Sequence, residues 1–582
     1  MIKAFTTNTS IVIHRIALVG LLALIAPFLA VAQSPEDVLS TTRKVADKII
    51  RETAFEYRNE VLTSNYWSQF QTLVPDNAAS IAKGSILADA AGRLRMGLAF
   101  KGSITVFVNG EEAFSGQSDA VELLEYNYNM FRSQEDFEVD LDKGANDIIV
   151  LCEGGEVNVM MLPLNEKDER DNSASFVDLV TEPFDSHWLV SGPYIDASPN
   201  ELLKLGQAKN DLNYTQKGQA WRVPTFPIAR QLVVPEEASF QRHPYSEWHY
   251  ANGGTMLGIL NLYSVTDDDK YFEFVNRFAD HVKDNMDKDR WQFENIPALR
   301  AAQYRLFRLT MLDDSGGPAI PFVELRRTYD VDKYNSILED VLEHVTKRQD
   351  RLEDNTLCRS EPEANTIWGD DLFMSTPFLL RMALATGNDA LFDDVAHQII
   401  QFNKYLMNPE TGLYFHGYYA DRGEPAPFQW GRANGWVTWA MSEALMLMPK
   451  KHKDYKKILK IYRNHLASLV KYQEESGIWH QILNDPSTYE ETSCTAMYTL
   501  SMARGINNGW LDADYRENVL AGWNAVTNKI DEDGTVNRIC RGTGIGTSVA
   551  FYNERKTFPH DPRGLGAVLT AGSEVYKMLT ED

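Results

Sequence analysis

Cysteine is scarce in this chain. Its 582 residues include four, Cys152, Cys358, Cys494 and Cys540. None stands in a CxxC pair, which argues against a structural zinc site or a disulfide framework. Positive charge is also short: 57 Lys and Arg face 82 Asp and Glu, a net charge of −25. So acidic a chain is a poor candidate for nucleic acid or an anionic membrane. An anionic substrate would need a local cationic pocket working against the global field. Apolar runs of membrane-spanning length are missing, which excludes a polytopic membrane protein. HExxH, P-loop, GxSxG and EF-hand patterns are absent, so no metal or cofactor is expected.

One apolar run does occur, from Ile16 to Ala32, after Lys3, His14 and Arg15. It spans 17 residues, contains Pro27 and closes on Ala30-Val31-Ala32, a small-x-small cleavage pattern. Residues 1–32 therefore read as a secretory signal. The mature chain is expected to begin near Gln33 and to be periplasmic or secreted, with no membrane contact after cleavage. The whole chain is 44% apolar and 24% charged, which fits a soluble protein with two or more domains or one large domain with an insertion.

Residues 36–58 show an amphipathic helical stripe of Val38, Leu39, Val45, Ile49 and Ile50. From about 65 to 230 the pattern changes to short runs rich in Val, Ile and Phe. Asn109-Gly110, Lys143-Gly144 and Gly154-Gly155 punctuate them. This is the pattern of an antiparallel β-sandwich. From about 245 onward the periodicity is helical again, in eleven segments: 254–265, 269–287, 319–330, 333–349, 371–386, 390–406, 433–448, 453–474, 492–506, 512–530 and 564–580. Segment 296–312 reads as a further helix or part of a longer one.

Alternate helices are led by loops dense in aromatic, charged and Gly residues. These loops lie at 248–253, 313–317, 368–371, 430–436, 489–493 and 560–564, and the intervening helices have bland leads. If inner and outer helices alternate in a ring, the six loaded loops share one end. The expectation is a mainly α protein, an (α/α)6 barrel with an inserted β-sandwich domain. In that reading 33–60 holds the first barrel helix, 61–235 the insertion and 236–582 the rest of the barrel. The plainer explanation of any one loop is helix capping by Asp, Ser and Gly, but it does not explain the alternation.

The strongest local pattern is WGDDLFM at 368–374, an acid pair opening a helix behind a Trp. Capping would use the acid against the helix dipole and lower its pKa. Burial against Trp368 and Phe373 would raise it, as a general acid requires. A second pair, Asp313-Asp314, opens another loaded loop. Carboxylates facing each other across a cleft are the equipment of glycosidic chemistry. The GTGIG stretch at 542–546 lacks the strand-then-helix context of a nucleotide fingerprint and reads as a cleft loop.

Several stretches together resemble glycoside hydrolase family 105, the unsaturated rhamnogalacturonyl and related uronyl hydrolases, which is related to family 88. They are WHYANG (248–253), LDDSGG (312–317), WGDDLFMSTPF (368–378), ETGLYFHGY (410–418), WGRANGWV (430–437), WHQIL (479–483), YEETSCTAM (489–497), GTGIG (542–546) and GLGAVLTAG (564–572). The helix at 44–57 also resembles that family's first helix. The resemblance implies an (α/α)6 barrel that removes a 4,5-unsaturated uronic acid from lyase-generated oligosaccharides by hydrating C4=C5, without a cofactor. It implies Asp370 as general acid/base and Asp313 as the second carboxylate, with Asp371 and Asp314 as adjacent alternatives. His416, Trp430, Arg432 and Trp436 fall at positions that resemble its sugar-binding residues, and Trp248 and His480 complete the expected set. Arg432 suits a uronate carboxylate, a Trp suits stacking on the unsaturated ring, and His416 suits a hydroxyl or the water. Core packing is the competing role for Trp436. An inverting glycosidase acting on saturated sugars, or a non-catalytic sugar-binding protein, are the alternatives.

Overall fold

The computed structural model describes residues 33–55, 58–60, 68–119, 124–127, 130–166, 171–179, 186–208, 220–224, 230–232, 245–295, 303–329 and 331–580. The leader at 1–32, and 296–302 of the segment expected at 296–312, lie outside the described residues. Helix α1, Pro35–Glu52, starts on a capping box in which Ser34 and Asp37 bond reciprocally, with Pro35 in the first turn. It buries the stripe Val38, Thr42, Val45, Ala46 and Ile49.

Seven strands follow: β1 Ser68–Ala88, β2 Gly92–Val108, β3 Glu111–Ser118, β4 Glu135–Leu141, β5 Gly144–Leu164, β6 Ala174–Phe176 and β7 Leu189–Ile195. Where a β-sandwich of two sheets was expected, these described strands join in one antiparallel sheet in the order β7-β1-β5-β2-β3, with β4 on β2 and β6 on β1. The register of β1 against β5 breaks between Val74 and Ala79, and that of β2 against β5 between Lys101 and Ser103. Bulges bend strands, so the long strands crease at one level instead of ending. Gly102 sits at the crease with φ +98°, where a Cβ would lie 2.8 Å from Val157. Only glycine tolerates both the conformation and the approach. Beyond the crease the sheet is buried on both faces. Ile104, Val106, Ile148 and Val150 point into the main apolar cluster, while Ile81, Ile149 and Leu151 meet Leu202. Leu202 belongs to α2, Pro199–Gln207, a helix not expected from periodicity although Ser198 and Glu201 form a capping box before it.

The remaining long helices are α3 Tyr250–Thr266, α4 Asp269–Asn295, α5 Gly316–Tyr329, α6 Asn335–Glu343, α7 Asp371–Thr386, α8 Ala390–Leu406, α9 Gly431–Leu447, α10 Tyr455–Leu469, α11 Thr492–Asn507, α12 Arg516–Thr527 and α13 Pro562–Thr580. Within 303–312, helix is confined to Tyr304–Arg308. Helices α3, α5, α7, α9, α11 and α13 are buried around most of their circumference. Each packs on the next, and α13 packs on α3. Helices α4, α6, α8, α10 and α12 each pack on the buried helix before them, while α1 packs on α13. The second set carries a single apolar stripe, while the first has no solvated polar face and buries the few charges it carries, as partly and fully buried helices require. Side chains from α1 and from α3 through α13 share one apolar cluster.

Across five of the buried helices runs a chain of ion pairs, toward their C-terminal ends. Arg381 of α7 bonds Glu324 of α5 and Glu443 of α9 (2.7 Å). Arg504 of α11 bonds Glu443 (2.7 Å) and Glu574 of α13 (3.0 Å).

Candidate active site

The N-terminal ends of the same helices are tied by their leading loops. Trp248 Nε1 donates to the Asp314 carbonyl (2.7 Å), and the Gly369 N–H to the His416 carbonyl (3.0 Å). Glu491 accepts from the Cys540 N–H (2.9 Å), and Arg563 Nε donates to the Tyr250 hydroxyl (3.2 Å). The approach is close because Gly253 of α3 lies where a Cβ would stand 2.1 Å from the Gly317 carbonyl oxygen of α5.

Two adjacent pairs of aspartates, 313–314 and 370–371, stand at this end beside the Arg563-bound Asp561, and the four members of the pairs separate into two kinds. Asp314 is fully buried and forked by Arg305 (2.8 Å) and Arg308. Asp371 is 1% exposed, and Arg359 grips both of its oxygens at 2.8 and 2.6 Å. Their neighbours are more open. The Asp313 side chain is 20% exposed and takes one contact from Arg359 at 3.1 Å. Burial, opposed by Arg359 and reinforced by the neighbouring aspartates, pushes its carboxyl up to about 6. The Asp370 side chain is 14% exposed. It stands at the N-cap of α7 yet makes no capping hydrogen bond, so the capping explanation does not account for it. Its Oδ2 lies 3.5 Å from His416 Nε2, long for a hydrogen bond. Neither atom has a hydrogen-bond partner among the described residues.

His416 is wholly buried in an aromatic cage. Trp368 meets it edge-on at 5.4 Å and Trp430 lies at 4.5 Å, between ring centroids. Burial pushes its pKa down, so the ring is held neutral. Its Nδ1 is 2.8 Å from the Tyr552 hydroxyl, whose oxygen accepts from the Gly546 N–H at 3.0 Å.

The other expected binding residues are placed as follows. Arg432 is 1% exposed, lies over Trp430 at 4.8 Å, and donates to the carbonyls of Cys540 and Arg541 (2.6 Å to the latter). Its fork thus holds the loop that carries GTGIG, and Gly544 of that loop packs near Trp368. Trp430 is 1% exposed, and Trp436 is stacked on Trp439 and packed on Phe373. Trp248 is fully buried against Phe322 beneath the Asp313-Asp314 turn. The His480 ring bonds the Thr488 carbonyl and faces Glu474 (3.3 Å). Of the expected set, the structure gathers Asp370, His416, Trp430 and Arg432 around one point and sets Asp313 beside Asp371 through their shared arginine. Trp248, Trp436 and His480 lie among core or flanking partners.

Sequence reasoning passed over three residues here. Arg359 bridges Asp313 and Asp371 and lies 4.2 Å over the Trp368 ring. Tyr250 and Arg563 stand together, with Asp313 and Arg432 in electrostatic range of Tyr250. No local motif marks Arg359. Tyr250 and Arg563 did lie inside loops singled out as loaded.

Two accessible carboxylates beside two arginine-bound ones, walled by aromatics, have the composition that glycosidic chemistry requires. The family model for Glycosyl Hydrolase Family 88 matches residues 229–579, and the chain belongs to that family. An unsaturated rhamnogalacturonyl hydrolase of Bacillus subtilis, YesR, is 26% identical over 336 residues, 57% of this chain and 90% of that protein. An unsaturated 3S-rhamnoglycuronyl hydrolase of an Alteromonas species is 32% identical over 216 residues, 36% of this chain and 50% of that protein. A solved family 105 glycoside hydrolase from C. acetobutylicum aligns with TM-score 0.51 at 26% identity, covering 56% of this chain and 93% of the other.

Proposed function

We propose that the protein removes a 4,5-unsaturated uronic acid from the non-reducing end of lyase-generated oligosaccharides, with rhamnogalacturonan or ulvan fragments as the substrate class. The observation that carries this reading is the division among the four aspartates. Asp370 and Asp313 keep accessible oxygens, while arginines occupy Asp371 and Asp314. The names of the relatives support the substrate class.

In this reading Asp370 delivers a proton to C4 of the enol ether. Water adds at C5 and returns a proton to the carboxylate. The hemiketal so formed opens and expels the remaining sugar. Asp313, held by Arg359 beside Asp371, takes the role of second carboxylate. Arg432 brings positive charge toward the uronate against the acidic chain and also fixes the loop over Trp368, whereas Arg563 is already paired with Asp561 (2.9 Å). The packing of six buried helices, each on the next and the last on the first, supports an (α/α)6 barrel. Helix α1 packs on α13, which supports the sheet region at 61–235 being an insertion after the first barrel helix. The leader pattern at 1–32 supports export to the periplasm or beyond.

The test is a panel of lyase-generated oligosaccharides with saturated controls. It is followed by loss of the ultraviolet absorbance of the conjugated enoic acid. Turnover is expected only with unsaturated ends. A saturated uronide cleaved at the same rate overturns hydration in favour of an inverting glycosidase.

A further inference from the structure

We infer that Tyr552 is a positioning residue that sets the tautomer of His416, so that the imidazole N–H points at Asp370. The inference rests on the reading of Asp370 as proton donor, and it starts from a count of donors. The His416 ring is neutral, because it is wholly buried among Trp368, Trp430 and Tyr552. A neutral imidazole carries one N–H, and the group facing the other nitrogen decides where it sits.

Two arrangements fit the heavy atoms. In the first, the Tyr552 O–H donates to Nδ1 across 2.8 Å, while its oxygen accepts from the Gly546 N–H at 3.0 Å. The imidazole proton is then on Nε2, aimed at Asp370 Oδ2 at 3.5 Å. In the second, Nδ1–H donates to the phenol oxygen. The phenol proton then has no acceptor among the described residues, and Nε2 meets a donor only if Asp370 carries its proton on Oδ2. A buried donor without an acceptor is unfavourable. The first arrangement gives the phenol proton its acceptor and turns the imidazole N–H toward Asp370.

The consequence concerns which oxygen of Asp370 carries the proton. An Nε2–H next to Oδ2 favours negative charge on that oxygen. The transferable proton is thereby left to Oδ1. Tyr552 comes from the short helix Val549–Asn553, and its hydroxyl is held by the same 542–546 loop that packs near Trp368. The loop thus reaches the carboxylate through one phenol and one imidazole.

The test uses the full mature chain labelled with 15N-histidine. In wild type, the His416 resonances, assigned by their loss in His416→Gln, are expected to show a single Nε2–H tautomer. In Tyr552→Phe they should shift toward a tautomer mixture. Turnover of an unsaturated uronide should fall by about tenfold or more in kcat with KM little changed, as expected when a histidine tautomer is misplaced. A wild-type Nδ1–H tautomer overturns the inference, and so does a Tyr552→Phe enzyme with unchanged kcat. The wild-type spectrum needs no turnover, and none from Tyr552→Phe. It therefore decides the tautomer even if the hydration reading fails, whereas a correct tautomer with no turnover of any unsaturated uronide counts against that reading alone.

Discussion

The two ends of the buried helices carry similar residues in opposite states. Toward the C-terminal ends, Glu443 sits between Arg381 and Arg504. Burial acts to raise its pKa, but the two guanidiniums outweigh it and hold the carboxyl down to about 2. At the N-terminal ends, Asp313 shares Arg359 with Asp371, burial dominates, and its carboxyl rises to about 6. Both carboxylates are within reach of arginine. What differs is the ratio. Two arginines serve Glu443, whereas one arginine serves two aspartates and leaves Asp370 to a neutral histidine. A buried charge with enough partners locks helices together, and one with too few, such as Asp313, holds its proton more tightly.

The largest expected effect tests the under-partnered end. Asp370→Asn should lower turnover by about 10²–10⁴-fold, the usual contribution of a general acid. Its melting temperature should not change, since Asp370 makes no capping bond. Asp371→Asn run in parallel should instead destabilise the fold, because it breaks the fork to Arg359. If Asp371→Asn is folded and dead while Asp370→Asn is active, the division drawn among the aspartates is wrong.

Arg381→Met strikes the other end. It leaves Glu324 and Glu443 short of a buried partner and should cost about 3–5 kcal/mol in chemical denaturation. The folded fraction should keep its KM. A change in KM at equal stability would mean that the two ends are coupled.

Asp313→Asn separates stability from activity by pH. The carboxyl binds its proton more tightly in the folded state than in the unfolded one, where it titrates near 3.8. Stability linked to it is therefore fully present below about pH 4 and is lost as pH rises through about 6. The Asn variant should match wild type at pH 4 and gain about 1–3 kcal/mol at pH 8, with activity reduced. Equal stability at pH 8 would show that Arg359 neutralises Asp313 after all.

The smallest effect concerns Trp248→Phe. It removes the bond from Nε1 to the Asp314 carbonyl and should cost about 1 kcal/mol. Its kcat and KM should be unchanged, because the ring is fully buried. A raised KM would return Trp248 to the sugar.

The alternation of loaded and bland helix leads was legible because burial leaves a local trace. Helices packed on all sides have no solvated polar face, like α9, and helices packed on one side show a stripe, like α10. The acid pair behind Trp368 was visible for the same reason: the pattern is contiguous. Arg359 was not, since it meets Asp313 across 46 positions and no motif surrounds it. The crease in the sheet was not legible, because strand periodicity does not reveal whether a long strand ends or bends at a bulge. Helix α2 left a legible signature, the Ser198–Glu201 capping box, in a stretch too short for periodicity to register.

Sequence by itself determined the family, the helical periodicity and the few residues among which the chemistry had to lie, because these depend on contiguous patterns of residue type. Tertiary structure alone decided which acid of each pair stays accessible, and that Arg432 holds the 541–547 loop while Arg359 is divided between two aspartates. A carboxylate's proton affinity depends on how many charges and donors reach it through space. Residues as far apart as Asp370, His416 and Tyr552 meet only when the chain is folded.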